Sequence, residues 1–294
     1  MNSRRWLTLS VRVHRADRPR LDGLLVDWAT LGLVEAEAEV PDIEQVTAHF
    51  STEKLRAATL ESRCRRALTV PPFGHPVAWR VAEEPDRDWT LSAREYFTGV
   101  RVSDRLSILP PWAPRDHPLA AAPVVLRIDP GMAFGTGTHE STRLALNWLE
   151  ERLPPGDSVL DLGSGSAILA IAAAKLGAGH VTAVEIDPAA EENALRNLAL
   201  NGVSDRVEHR VENFTRAALD PADVVLCNML VEEFEPHLER LRGLTRPGGS
   251  LILAGLLVID EAAVTEGLRG VGLHEIEIRR EGEWSSIRVI VQKT

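Results

Sequence analysis

From residue 124 onward, short apolar runs alternate with stretches of helical length: SVLDLG, a helix from about Ser166, HVTAVEID, a helix from about Pro188, RVEHRV, DVVLCN, a helix, GSLILAG and another helix. Strands separated by helices cannot be joined as hairpins. They lie parallel, with the crossover helices covering both faces of one sheet. The ending departs from this rhythm. HEIEIRR and WSSIRVIVQ are too close in sequence for a crossover helix, so the last two strands are expected to pair antiparallel. The expectation for this part of the chain is a doubly wound α/β domain.

The N-terminal part has a different pattern. WLTLSVRV (Trp6–Val13) places Leu7, Leu9, Val11 and Val13 on one side and Thr8, Ser10 and Arg12 on the other, as in a half-buried strand. Leu21, Leu24, Leu25, Trp28 and Leu31 recur at helical spacing, and Gly32 is read as the stop. LVEAEAEV (Leu33–Val40) and VTAHF (Val46–Phe50) read as strands, Ser51 as the cap of a second helix, and VAWRVAE (Val77–Glu83) as a last strand. The order β-α-β-β-α-β is the ferredoxin-like pattern. We therefore divide the chain into an α+β domain over residues 1–84, a connector over 85–120 and the α/β domain over 121–294. In the connector, Asp88–Gly99 reads as a short amphipathic helix, and Pro110–Pro118 is a proline-rich break that no helix can cross.

Charge narrows the function classes. The net charge of −10 is unevenly spread: residues 1–100 hold 14 Lys+Arg against 15 Asp+Glu, and the remaining 194 hold 19 against 28. A nucleic-acid binder needs a basic stripe, and none is present, so no direct nucleic-acid binding is expected. An acidic surface suits a cationic substrate, and equally suits simple solubility. No apolar run is long enough to span a bilayer; the longest, Ala167–Ala174, has eight residues. Arginines interrupt any secretory core near the start. Two cysteines, Cys64 and Cys227, make no disulfide framework. A cytoplasmic location without membrane association is the expectation.

The chemistry concentrates at the carboxyl ends of the strands, where open α/β sheets bind ligands. DLGSGSA (Asp161–Ala167) joins the first strand to its helix, and Gly163 and Gly165 allow left-handed backbone and close approach. Alone, a GxG turn is as often structural as ligand-binding. Glu185, at the end of the next strand, adds a carboxylate able to accept both hydroxyls of a ribose. A dinucleotide fingerprint would need a third glycine where Ile168 stands, which disfavours a nicotinamide oxidoreductase. Ala167 instead fits the GxGxG-like loop of methyltransferases with one methyl group added. S-adenosylmethionine carries an adenosine but no phosphate, in keeping with a carboxylate-rich rim. Asn228 ends the fourth strand, where its amide could accept a hydrogen bond from a substrate amine; a plain strand terminator is the alternative. Cys227 beside it reads as core.

The string IDPGMAFGTGTHEST (Ile128–Thr142) admits two sharper readings, and both fail. A P-loop needs a lysine next to its Ser/Thr, and a zincin helix needs a second histidine where Arg143 stands. No metal site is expected. What remains is a Gly-Thr-Gly turn opening a helix beside the cofactor strand, the position of a lid, with His139 a lid or capping residue rather than a general base.

DPGMAFGTGTHEST, DLGSGSAILAIAAAKLGA, CNML and RPGGSLILAGLL together resemble the ribosomal protein L11 methyltransferase family (PrmA), and the similarity runs from WLTLSV to the Glu283-Trp284 pair. The resemblance implies a seven-stranded Rossmann-like class I methyltransferase domain behind a ferredoxin-like domain that recognises the ribosomal protein. It implies S-adenosyl-L-methionine as cofactor and methylation of lysine side chains and the N-terminal amine. Carried over by motif, cofactor contacts fall on Thr142, Gly163, Gly165, Glu185 and Asn228, with Asn228 also catalytic. The chain departs from the family in having Glu185 for the usual Asp, GSGSA for GCGSG, and Asn-Met-Leu for Asn-Ile-Leu. The connector lacks a second tryptophan and a lysine, and Glu232, Glu233 and Glu235 make the segment after Asn228 more acidic. These last changes leave open another protein's lysine, or a small amine, as substrate. A non-catalytic ribosome-associated protein is disfavoured by the intact Gly163, Glu185 and Asn228.

Overall fold

Leu7, Leu9, Val11 and Val13, the apolar side of the first strand, are all buried. They belong to the smaller of two compact units, Met1–Ser92 and Ala93–Thr294, into which the chain divides. The computed structural model describes residues 5–28, 32–36, 42–52, 55–85, 98–129 and 137–292. In the first unit β1 (Arg5–His14), α1 (Arg18–Asp27), β2 (Gly32–Ala36), β3 (Ile43–Ser51), α2 (Ala57–Ala67) and β4 (Ala78–Pro85) follow one another in the expected order. The strands pair as β2-β3-β1-β4, all antiparallel, which is the ferredoxin-like arrangement. Leu21 and Leu25 of α1 and Leu60 and Cys64 of α2 share one core with the four β1 residues, so both helices cover the same face of the sheet. Burial pushes the Cys64 thiol up to about 12, as for a packing residue rather than a reactive one.

Two local expectations are corrected. Ser51 caps no helix: it lies in β3 and pairs with Trp6. Helix α2 begins six residues later, with Arg56 at its N-cap and no side-chain cap bond. Helix α1 ends at Asp27 rather than at Gly32, which opens β2. Leu31 lies outside the described residues, as do nearly all of the helix expected over Asp88–Gly99 and residues 130–136 of the glycine-rich string.

The second unit begins with a three-stranded sheet, β5 (Val100–Arg101), β6 (Leu106–Leu109) and β7 (Val124–Arg127). Its main sheet has seven strands: β8 (Ser158–Leu162), β9 (His180–Glu185), β10 (Val207–Val211), β11 (Ala222–Asn228), β12 (Thr245–Leu257), β13 (Glu275–Glu281) and β14 (Trp284–Ile290). They lie in the order β10-β9-β8-β11-β12-β14-β13. The first five pair parallel, and β14 is antiparallel to both its neighbours, as the short final connection requires. Among the described residues the unit also holds helices α3 (Glu140–Arg152), α4 (Ile168–Leu176), α5 (Pro188–Asn201), α6 (Val231–Phe234), α7 (Leu238–Leu244) and α8 (Glu261–Gly270).

Side-chain alternation along each central strand feeds two cores, one on either face. Val159, Val224 and Leu226 join the core built on α3, α4 and α5. Leu160, Leu162, Val225 and Cys227 join the other, built on α6, α7 and α8. Helix α4 is buried from Ile168 to Ala174, which explains the small, wholly apolar sequence ILAIAAA; only Lys175 and Leu176 at its end are partly exposed. The strand order reverses between β8 and β11. That crevice at the carboxyl edge of the sheet is where the chain can hold a ligand.

Candidate functional site

Three turns converge on the crevice. The loop after β8 leaves the sheet with φ +68° at Gly163, +50° at Gly165 and +64° at Ala167, so Ala167 adopts the backbone expected of a third glycine. A left-handed residue with a Cβ costs roughly 1–2 kcal/mol, and the surrounding bonds offset this. Gly163 and Ser164 donate their N–H groups to Val184 O at 2.8 and 3.1 Å. Gly165 N–H donates to Glu185 Oε2 at 2.8 Å, and Asp187 N–H to Glu185 Oε1 at 2.9 Å. Each Glu185 oxygen therefore accepts one backbone bond and keeps a further lone pair for a ligand hydroxyl.

Asp161 is fully buried beneath this loop and accepts from Ala170 N–H at 3.0 Å. Burial pushes its carboxyl up to about 7; the Ala170 bond opposes this and the negative Glu185 adds to it.

On the other side of the crevice Asn228 ends β11. Its Nδ2 donates to Thr142 Oγ1 at 3.3 Å, while its Oδ1 is buried without a hydrogen-bond partner. Ser164 Oγ is in the same condition. Buried polar groups are rarely left unpaired, so Asn228 Oδ1 awaits a donor and the Ser164 hydroxyl a partner of either kind. Met229, next along, is wedged between two glycines. A Cβ on Gly163 would lie 2.5 Å from Met229 Sδ, and one on Gly255 would lie 2.3 Å from Met229 O. At Gly255 only bare backbone lets the Asn228 turn sit where it does, whereas at Gly163 a Cβ would displace the flexible Met229 side chain.

The third turn leads into α3. His139 is the N-cap of that helix, and its Nδ1 accepts from Ser141 N–H at 3.3 Å. Burial holds its imidazole below the ordinary value; Glu140 opposes this and Arg143 reinforces it. Trp284, at the start of β14, meets the imidazole edge-on at 4.3 Å. Arg143 fixes this corner from behind: it donates to Thr138 O and pairs with Glu281 at 2.6 Å and Glu140 at 3.1 Å.

These turns enclose a cavity of about 400 Å3 whose lining includes Asp161, Gly163, Ser164, Gly165, Glu185 and Asn228. An apolar side, Ile168, Met229, Leu230 and Trp284, faces that polar one. Of the residues singled out from sequence, Gly163, Gly165, Glu185 and Asn228 thus share one cavity. Thr142 is fully buried and is not among the lining residues; it stands behind Asn228, and its neighbours Ser141 and His139 reach the cavity instead. Sequence reasoning passed over Ser164, Met229 and Gly255. Gly255 carried a signal, because a glycine inside an apolar strand marks a close backbone approach. Among the described residues no cluster of metal-ligating side chains is present, and no helix is long and apolar enough to cross a membrane.

The model of the family described as "Ribosomal protein L11 methyltransferase (PrmA)" matches residues 5–293. A ribosomal protein L11 methyltransferase from Pelobacter propionicus is 40% identical over 264 residues, 84% of this chain and 82% of its own. One from Geotalea uraniireducens is 42% identical over 230 residues, 73% of this chain and 70% of its own. Among solved structures, a ribosomal protein L11 methylase from Lactobacillus delbrueckii subsp. bulgaricus superposes with a TM-score of 0.62 at 27% identity, covering 67% of this chain and all of that one.

Proposed function

The chain belongs to the ribosomal protein L11 methyltransferase family (PrmA), and from that premise we propose that it methylates lysine side chains of ribosomal protein L11, its N-terminal amine, or both, in the cytoplasm. The methyl donor is S-adenosyl-L-methionine. One observation carries the reading: Asn228 Oδ1 is a buried acceptor without a partner in the lining of the cavity. An acceptor so placed asks for an N–H donor, which an amine substrate brings.

The residues present fit the cofactor. Gly163 and Gly165 leave bare backbone along the cavity, Glu185 keeps lone pairs for ribose hydroxyls, and Asp161 and Ser164 offer polar partners to an aminoacyl end. When bound, S-adenosylmethionine supplies a methyl group made electrophilic by its sulfonium.

Every other contribution comes from the chain. Asn228 accepts one N–H of the incoming amine, which leaves the nitrogen lone pair free to be aimed into the cavity. Thr142 acts through Asn228, fixing the rotation of its amide. A lysine with an unperturbed pKa of about 10.4 has to lose a proton first. The apolar lining of Ile168, Met229, Leu230 and Trp284 favours the neutral form. His139, its Nδ1 engaged at the helix start, serves as a cap, and alignment rather than a strong base supplies the rate. Residues 1–84 are assigned to recognition of the protein substrate and 121–294 to the cofactor.

Labelled methyl transfer from S-adenosylmethionine to purified ribosomal protein L11, with peptides mapped by mass spectrometry, tests this. Label on amine nitrogens is expected, with turnover in Asn228→Ala falling far more than cofactor affinity. No label, or label on another type of side chain, would refute it.

A further inference from the structure

Helix α5 carries asparagines at 193, 197 and 201, a four-residue spacing that sets them on one face. Such a face ordinarily meets water. Here Asn193 is 8% exposed and Asn197 not at all, so their amides need partners within the fold. They find them in the extended chain that continues β7. Asn201 Oδ1 accepts from Arg127 N–H at 2.9 Å and its Nδ2 donates to Arg127 O at 2.6 Å. Asn197 Oδ1 accepts from Asp129 N–H at 2.8 Å, and its Nδ2 donates to Asp129 O at 3.4 Å. Asn193 Nδ2 adds a bond to Asp129 O at 3.2 Å.

A primary amide presents the same donor and acceptor as a peptide unit, so this face of the helix acts as a neighbouring strand. The two periods agree. Four helical residues rise about 6 Å, and two strand residues about 6.6 Å, so alternate residues 127 and 129 fall in register with successive rungs.

Asn197 has a third bond, to Ser166 O in the glycine loop at 3.1 Å. The first half of that loop is held by Val184 O and the Glu185 carboxylate. Its second half, between the left-handed Gly165 and Ala167, turns on the peptide joining Ser166 to Ala167. The N–H of that peptide donates to Ser164 O at 2.8 Å, and its carbonyl accepts from Asn197. The Ala170 N–H, one turn into α4, is taken by Asp161.

We propose that Asn197 is a positioning residue for the cofactor loop, setting the peptide between Ser166 and Ala167 and coupling it to the backbone at Asp129. The inference rests on the cofactor reading above. Asn197 does not line the cavity, and it acts only through the backbone it holds. Asn201 is the natural control, because it makes the same kind of rung to Arg127 without reaching the loop.

The test compares Asn197→Asp with Asn201→Asp in the full chain, using S-adenosylhomocysteine as probe in calorimetry. Each change keeps an acceptor for the strand N–H and sets a carboxylate oxygen against the carbonyls. Asn197→Asp should weaken binding about tenfold or more, whereas Asn201→Asp should stay within about twofold. In turnover, Asn197→Asp should raise the cofactor KM with kcat at saturation within about threefold. Equal affinities in the two variants overturn the proposal. Hydrogen exchange on the wild-type chain decides it even where Asn197→Asp does not fold. Saturation with S-adenosylhomocysteine should slow exchange at the Asp129 amide together with residues 163–167. Protection of the loop with no change at Asp129 overturns the coupling. A wild-type chain that fails to bind the probe overturns the cofactor reading itself, and this inference with it, so the two failures are distinct.

Discussion

Replacing Asp161 by Asn should stabilise the cofactor-free protein above neutral pH. The buried carboxyl stands near 7 against an ordinary 3.8, chiefly because burial disfavours its charge. The sign follows from linkage. Well below the unfolded value of 3.8 the group is protonated in both folded and unfolded chains and contributes nothing. As pH rises toward 7 the unfolded chain ionises first, and stability falls. Above that range both forms are ionised and the cost is constant. At ~1.36 kcal/mol per pKa unit the full cost is roughly 4 kcal/mol, a large part of a typical domain's 5–15 kcal/mol. Asn keeps an oxygen for the Ala170 N–H and carries no charge to desolvate. Urea unfolding of wild type and Asp161→Asn at pH 4.5 and pH 8, without cofactor, measures the difference; contributions from the smaller unit cancel. The variant should gain roughly 4 kcal/mol at pH 8 and only about 1 kcal/mol at pH 4.5, where the unfolded carboxyl is already mostly ionised. A variant no more stable at pH 8, or a gain independent of pH, would show that the carboxyl is not held in its neutral form by burial.

Glu185→Ala should weaken cofactor affinity about tenfold to a hundredfold, since charge-assisted bonds are worth roughly 1.5–3 kcal/mol each; unchanged affinity in calorimetry would remove Glu185 from the site. Gly255→Ala should destabilise by roughly 2–5 kcal/mol, through a left-handed Cβ and overpacking against Met229 O, and should cost activity in the part that stays folded; a normal melting temperature counts against the wedge at Met229. A chain beginning at residue 85 should bind S-adenosylmethionine within a few-fold of the full chain while losing its preference for intact protein over a short lysine peptide. A preference fully retained would place recognition outside the first 84 residues.

The alternation of strand and helix after residue 124 made the parallel sheet legible, and the short link between Glu281 and Trp284 made its antiparallel ending legible too. The glycine loop and its acidic neighbour were readable because their chemistry follows from position on the sheet. Less was legible where structure depends on distant partners. The small sheet of β5, β6 and β7 has strands of two to four residues, too short for a period to show. The Asn193–Asn197–Asn201 face looks like solvent-exposed helix until the strand beside it is known. Ser51 has the right chemistry for a helix cap, but its backbone is committed to pairing with Trp6, and tertiary pairing overrides local preference. The backbone of Ala167 likewise shows only in three dimensions, where a methyl group occupies a glycine's conformation.

The place of β14 in the sheet has a consequence for synthesis. Trp284–Ile290 follows β13 in sequence but lies between β12 and β13. Until it docks, β12 presents an open edge with Leu251 and Leu253 on it, and β13 has no partner in the sheet. The same strand carries Trp284 to the wall of the cavity. As the chain emerges, residues from Asp161 to Asn228 can be laid down in order, but the pocket lacks a side until that late strand slots into the interior. The cavity wall that Trp284 supplies is therefore added only when the hairpin of β13 and β14 docks on β12.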